Sequence, residues 1–294
     1  MERRTDLALE ARELAGTDIQ GVEFSKRKEC GMEISRLIVK NHQASVKLKK
    51  DEGTYITIEI PALTDNFLST DERISIIGKE IRRLLPVNGL VLVCGLGNTD
   101  ITPDALGPKS ASRILATRHI TGELARSTGL DTLRPVAVLS TGVTGQTGIE
   151  TFEYIESIVK KVRPTAVIVI DALASRRIGR LGCTVQISDT GISPGAGVQN
   201  HRKKINSETV GIPVIALGVP TVVDAVTLVL DLLDVDDEKT AEDLKTSLNP
   251  KNRTMVVTPK EIDLLIDRAS RLISLSLNCA LQKDVDIQLI EALL

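Results

Sequence analysis

Four short runs of apolar residues, 90–94, 136–139, 166–170 and 213–217, are each too brief for a helix, and between them apolar residues recur at helical spacing. A strand that is apolar on both faces belongs in a sheet covered on both sides, and strands alternating with helices pair in parallel through right-handed crossovers. The expected fold is therefore α/β, a mostly parallel sheet with helices on both faces. Helices are predicted over 108–118, 148–162 and 221–233, with a further strand over 184–187. Ahead of the first run, Ser69-Thr70-Asp71-Glu72 has capping-box spacing, and Ile74, Ile77, Ile81, Leu84 and Leu85 then share one helical face up to Pro86. Thr258-Pro259-Lys260-Glu261 combines an N-cap, Pro at N1 and Glu at N3, which opens a long helix through Ile262, Leu265, Ile266, Ala269 and Ile273. Upstream, 45–48 and 54–60 alternate in polarity about Asp51-Glu52-Gly53, which predicts an N-terminal β-hairpin closed by Pro61. Residues 234–253 are charged and lack periodicity, so a mobile surface segment is expected there.

Charge and composition remove several functions. With 37 basic and 39 acidic residues there is no basic field to neutralise phosphates, and 2% aromatics offer no stacking platform, so no direct nucleic-acid binding is expected. Residues 1–15 are charged throughout and no run nears the ~20 apolar residues of a membrane helix. No membrane partner is expected, and the location predicted is cytoplasmic. Cys30, Cys94, Cys183 and Cys279 form no CxxC pair, and His42, His119 and His201 have no ligand spacing, so neither a metal nor a cofactor is called for.

Ligands of open α/β sheets bind at the carboxyl ends of the strands. Three segments lie there: Gly95-Leu96-Gly97-Asn98 running on to Thr102-Pro103-Asp104, then Asp171-Ala172-Leu173-Ala174, then residues 189–197. Asp171 follows the most apolar strand and is expected half out of water at the lip of the sheet. If Asp104 shares that crevice, like charges disfavour double ionisation, which leaves an acid beside a base. Such a pair can activate water and polarise a carbonyl, although an Asp at a strand end also serves as a cap or turn former. Two carboxylates could equally hold a divalent cation for a metal-dependent hydrolase. The Gly95-x-Gly97 turn could instead serve a non-catalytic protein that binds a phosphorylated ligand, but it lacks the third glycine of the dinucleotide fingerprint. Asp189-Thr190-Gly191 matches the triplet of pepsin-like proteases. Those enzymes are all-β and supply two such aspartates, so Asp189 ranks third as a catalytic candidate. Gly97, Asn98, Asp189 and Gly191 are taken to shape the cleft. Arg176-Arg177 and Arg202-Lys203-Lys204 read as solvated surface or as receivers of an acidic side chain.

Together Thr5-Asp6-Leu7-Ala8-Leu9-Glu10-Ala11, the Gly95–Asn98 and Thr102–Pro108 stretches, Asp171-Ala172-Leu173-Ala174, residues 189–197, Gly218-Val219-Pro220-Thr221-Val222-Val223-Asp224-Ala225 and Val257-Thr258-Pro259-Lys260-Glu261-Ile262-Asp263 resemble the germination protease family. The motifs span nearly the whole chain in order. The resemblance implies a fold similar to hydrogenase maturation endopeptidases. It also implies an aspartic-type endopeptidase that degrades small acid-soluble proteins of dormant spores, with its two essential aspartates falling on Asp104 and Asp171. It further implies a homotetramer in the spore core, made as a zymogen that removes its own N-terminal segment by cutting after an acidic residue in a Thr-acidic-apolar-Ala context. Thr5-Asp6-Leu7-Ala8 has that form, so the bond between Asp6 and Leu7 is the expected cut. Residues 1–6 are then a short propeptide, with only Met1 to Arg4 preceding the motif, and 7–294 a single α/β peptidase domain.

Overall fold

The structure, a computed structural model, describes residues 4–16, 18–60, 72–194, 203–233, 243–244, 246–247, 255–283 and 285–293. Strands β1 (Val22–Glu29), β2 (Met32–Val39), β3 (Gly53–Glu59), β4 (Val91–Gly95), β5 (Val136–Ser140), β6 (Ala166–Ser175), β7 (Thr184–Ser188), β8 (Val214–Asp224) and β9 (Val256–Val257) form one sheet. The helices are α1 (Ala8–Ala15), α2 (His42–Leu48), α3 (Glu72–Leu84), α4 (Leu106–Ala111), α5 (Gly122–Thr128), α6 (Thr144–Thr147), α7 (Thr151–Val162), α8 (Ser207–Val210), α9 (Ala225–Leu232), α10 (Ile262–Leu281) and α11 (Ile287–Leu293). The class is α/β with helices on both faces, as the periodicity predicts.

The sheet is mixed rather than mostly parallel. Its order is β1-β2-β3-β7-β8-β6-β4-β5, with β9 added to β8. The four apolar runs form the parallel half β8-β6-β4-β5, whereas β1, β2, β3 and β7 pair antiparallel. The link from β6 to β7 spans residues 176–183, shorter than the dozen or so residues a parallel crossover needs, so the chain turns back and β7 runs against β8.

Local capping corrects several predicted elements. A hairpin exists near the N-terminus, but it is β1-β2, turning at Cys30 and Gly31, both with positive φ (46° and 73°). Residues 45–48 are helical instead, because the Asn41 side chain accepts the Ala44 N–H at 2.9 Å and starts α2 one residue later. The charged β1 offers no apolar run to a sequence reading. Likewise β6 and β8 continue well past their apolar cores, so Asp171 lies within a strand and residues 221–224 are strand, not helix. The Asp224 carboxylate then caps α9 through Thr227 N–H at 2.9 Å. Thr258 does not cap α10; its hydroxyl donates to the Thr221 carbonyl at 2.8 Å. In place of the helix predicted over 108–118 there is only α4. Pro61, Ser69 to Asp71 and most of 234–253 lie outside the described residues.

One face of the sheet packs Val93, Ile168, Ile170, Ile215 and Leu217 against α3, α4 and α10. The opposite face has two separate roofs. Phe152 and Ile155 of α7 cover Leu92, Cys94, Val167 and Val169, while Ala8 of α1 and Ala44 and Leu48 of α2 cover Leu37, Val39 and Tyr55. The pairing register runs Thr57, Gln186, Gly218, Asp171 across this face between the two roofs, and directly opposed residues share a face.

The α1 roof is held by charge as well as apolar contact. Glu10 is fully buried, and its carboxylate accepts the Arg176 and Arg177 N–H groups at 2.6 and 3.1 Å and faces the Arg180 guanidinium at 3.1 Å. Burial works to raise the pKa of Glu13, but the hydrogen bond and charge of Arg180, aided by Arg177 and Arg176, outweigh it and hold the carboxyl low. A depressed carboxyl contributes stability above its unfolded value of 4.5 and loses it as pH falls through the folded value. Replacing Glu10 by Ala leaves Arg180 with Glu13 and Glu59 but strands the N–H groups of Arg176 and Arg177. Urea denaturation at neutral pH should show a loss of about 2–5 kcal/mol from the two unmet donors.

Candidate active site

Between the two roofs lies a cavity of about 610 Å³. Asp171 reaches its wall because β6 runs on beyond its apolar core. The residue is 8% exposed, and its Oδ1 accepts the Ala172 N–H at 2.9 Å. Gly218, its neighbour on β8, cannot carry a side chain: a Cβ there would come within 2.5 Å of the Asp171 carbonyl oxygen and 2.7 Å of Leu173 Cγ.

Asp104 arrives from another direction, on a single 3-10 turn, Thr102–Asp104, which follows β4 and packs against β6 and β8. Its Oδ2 accepts the Asn98 N–H at 2.8 Å. Gly97, with φ of +117°, brings its backbone so close that a Cβ would lie 2.0 Å from the Asp104 carbonyl oxygen. Asn98 in turn accepts from Asp100 N–H at 2.9 Å and from Gln146 Nε2 at 2.7 Å. Gly97 and Asn98 thus act behind the cavity wall, holding the turn that carries Asp104.

The chain's own N-terminal segment lines the same cavity. The Asp6 N–H donates to the Ala174 carbonyl at 2.9 Å, and the Ala174 N–H donates to Asp6 Oδ2 at 2.7 Å. The Asp6 carbonyl oxygen accepts both Lys50 Nζ and Gln186 Nε2, each at 2.9 Å. Beyond it, the Ala8 N–H donates to Gln186 Oε1 at 2.6 Å, and Leu7 and Ala8 are fully buried. Desolvation pushes the Asp6 carboxyl up, with Lys50 and the Ala174 N–H opposing and Glu10 adding to the rise. Desolvation likewise pushes the Lys50 ammonium down against the attraction of Asp6, Asp51 and Glu10.

Asp6, Asp104, Asp171 and Gly191 therefore share one cavity wall. Gly191 has φ of +74°, and a Cβ there would meet the Ile205 carbonyl oxygen at 2.1 Å. Asp189 is not among the lining residues; its Oδ1 accepts the Thr54 N–H at 2.7 Å and ties β7 to the start of β3. Arg176 is buried, not solvated, with its Nε 3.3 Å from Asp231. Lys203 lies over the Phe152 ring, and Arg202 and Gly195 to Gly197 lie outside the described residues. Sequence reading missed Lys50 and Gln186. Gln186 was legible as the polar member of an apolar strand, but Lys50 sat in a supposed hairpin turn.

Among the described residues no group of three or more His, Cys, Asp or Glu side chains is arranged to hold a metal ion. None of their helices is long and apolar enough to cross a membrane.

A protein-family model described as germination protease matches residues 3–236. The germination protease of Caldanaerobacter subterraneus subsp. tengcongensis is 44% identical over 95% of this chain and 94% of its own length. That of Clostridium tetani is 40% identical over 98% of both chains, and that of Priestia megaterium 35% identical over 96% of this chain and 94% of its own. Among solved structures, the [NiFe] hydrogenase maturation protease HycI of Thermococcus kodakarensis aligns with a TM-score of 0.37 and 16% identity, covering 67% of this chain and 98% of that one.

Gly97→Ala forces a Cβ onto the Asp104 carbonyl at a positive φ, which should cost about 1–3 kcal/mol and displace the turn. Amide hydrogen exchange across residues 97–105 should quicken in that variant. Gly145→Ala, with nothing within 4 Å of the added atom, is the silent control.

Proposed function

The chain belongs to the germination protease family, and from that premise we propose that it is an aspartic-type endopeptidase whose water is activated by the pair Asp104 and Asp171. The observation that carries this reading is that both aspartates, arriving on different elements, line one cavity that is also lined by Asp6 of the chain's own Thr5-Asp6-Leu7-Ala8 segment. In the reaction one carboxylate of the pair takes a proton from water as the oxygen adds to the scissile carbonyl carbon. Its protonated partner hydrogen-bonds the carbonyl oxygen.

The substrates are the small acid-soluble proteins of the dormant spore, cut after an acidic residue in a Thr-acidic-apolar-Ala context. The enzyme works in the spore core as a homotetramer of single α/β domains, residues 7–294. Residues 1–6 are the propeptide, and the Asp6–Leu7 bond is the bond the zymogen cuts in itself. A carboxyl whose docked pKa is raised binds its proton more tightly when docked, so lowering the pH through that value strengthens docking of Asp6 beside Lys50, Glu10 and the Ala174 N–H. The linkage at Lys50 has the opposite sign, since its lowered value binds its proton less tightly, so mildly acidic solution is the condition in which self-cleavage is tested.

Asp104→Asn and Asp171→Asn should each lower peptidase activity by at least about 10²-fold, while exhaustive chelation leaves the wild-type rate unchanged. Full activity in either variant, or loss on chelation, would refute the aspartic reading. N-terminal sequencing after incubation at mildly acidic pH should return Leu7 as the new first residue. An intact Met1 on fully active protein would remove the processing step.

A further inference from the structure

The Asp6 carbonyl oxygen is the oxygen on which negative charge would develop if the Asp6–Leu7 bond were hydrolysed. Two donors already converge on it. Lys50 Nζ and Gln186 Nε2 each stand 2.9 Å away, and Lys50 Nζ also touches the preceding Thr5 carbonyl at 3.2 Å. Both donors line the cavity that holds Asp104 and Asp171. We propose that Lys50 and Gln186 are catalytic residues, an oxyanion-binding pair that polarises the scissile carbonyl, first in the chain's own segment and then in its protein substrates. The inference rests on the reading of Asp6–Leu7 as the bond cut.

The sheet explains why Gln186 suits this role. It stands in the same row as Asp171 with Gly218 between, two strand spacings or roughly 10 Å across the face. A peptide in the cavity packs against Leu173, whose Cγ stands 2.7 Å from where a Gly218 Cβ would be. It can be gripped by Gln186 on one flank and face the aspartates on the other. Gln186 grips twice, donating to the Asp6 carbonyl and accepting from the Ala8 N–H at 2.6 Å, so the peptide unit on each side of Leu7 is fixed by one side chain.

Lys50 adds an amine donor in a site where desolvation dominates its environment, and a donor in such surroundings is worth more to an oxyanion than one in water. A carbonyl oxygen accepts two hydrogen bonds in its plane, whereas a tetrahedral oxyanion has room for a third. The protonated carboxyl of the aspartate pair fills that third position as water adds and gives up its proton to the ionised carboxylate. The C–N bond to Leu7 then breaks, and a proton passes from the pair to the leaving nitrogen. One water is consumed, and one carboxyl and one amine are formed.

The test follows self-cleavage of the full chain as a first-order process, by intact mass and N-terminal sequencing. Lys50→Met and Gln186→Leu should each slow it by about 10²–10³-fold. Lys50→Arg, which keeps a cationic donor, should recover part of that loss. Hydrogen exchange at the Asp6, Ala8 and Ala174 amides reads docking separately from chemistry. In Lys50→Met the Asp6 and Ala174 amides should stay as protected as in the wild type. Rates that fall only in step with lost protection reduce the pair to an anchor and overturn the proposal, as do unchanged rates. The same variants, assayed on an added peptide containing Thr-Asp-Leu-Ala, should lose kcat by a larger factor than KM rises; an unchanged kcat again overturns it. If Lys50→Met is fully active while Asp171→Asn is dead, only this inference fails. If the aspartate variants are active while Lys50→Met is dead, the aspartate reading fails and this one stands.

Discussion

Two opposed hydrogen bonds between Asp6 and Ala174 decide where the N-terminal segment crosses the molecule, and most of the site's geometry is set relative to that crossing. Ala174 lies three residues beyond Asp171 on β6, so a segment registered on Ala174 is registered, through one rigid strand, on Asp171. Four residues further along the segment, the buried Glu10 carboxylate accepts the N–H groups of Arg176 and Arg177, the residues that follow β6. The segment is thus pinned to a single stretch of chain at two points. Since each pin uses an otherwise orphaned backbone donor in a dry environment, releasing either exposes the full cost of an unmet buried polar group.

The cavity itself follows from the mixed sheet. A fully parallel sheet would be roofed by crossover helices along its length. Here the crossover helices end with the parallel half, and α1 and α2 resume the roof over β2 and β3. The uncovered strip falls where β7 and β8 meet antiparallel. There Gln186 and Gly218 pair directly, and Leu173 of β6 reaches over the glycine. Extension of β6 and β8 past their apolar cores puts polar groups, Asp171 among them, along that strip. Apolar runs alone build the rigid half of the molecule, and the site forms at the seam where they stop.

What the sequence made legible follows the same division. The parallel strands, α3, α7 and α10 were visible because burial on both faces, or on one helical stripe, leaves a periodicity that neighbours cannot alter. The strands of the antiparallel half carry mixed polarity. β1 contains Lys26, Arg27 and Lys28 in succession, and only pairing with β2 makes it a strand. Residues 45–48 have alternating polarity yet form a helix because Asn41 supplies the cap. Asp171 was expected at a strand end but lies inside β6, because the strand runs on past its apolar core. Asp189 drew notice as a triplet but serves a turn, tying Thr54 in place. Lys50 and Gln186 lie 136 residues apart, and no local pattern marks two donors that meet on a carbonyl contributed by a third segment.

That third segment also bears on electrostatics. With Asp6 in place, Lys50 has a carboxylate and two carbonyl oxygens within its surroundings, and the Asp6 carboxyl has a cation and a backbone donor. Each charge makes the other's burial tolerable. Taking Asp6 away would remove the strongest of the three carboxylate attractions on Lys50, leaving Asp51 and Glu10, and a buried charge with fewer partners is less stable. Water can relieve only part of this, because it restores neither the carboxylate nor the fixed carbonyl. The emptied cavity therefore favours an incoming peptide that offers both groups at the spacing of one residue. An acidic side chain followed by its own carbonyl is the arrangement that does so, and under the proposed cut at Asp6–Leu7 it would sit just ahead of the bond.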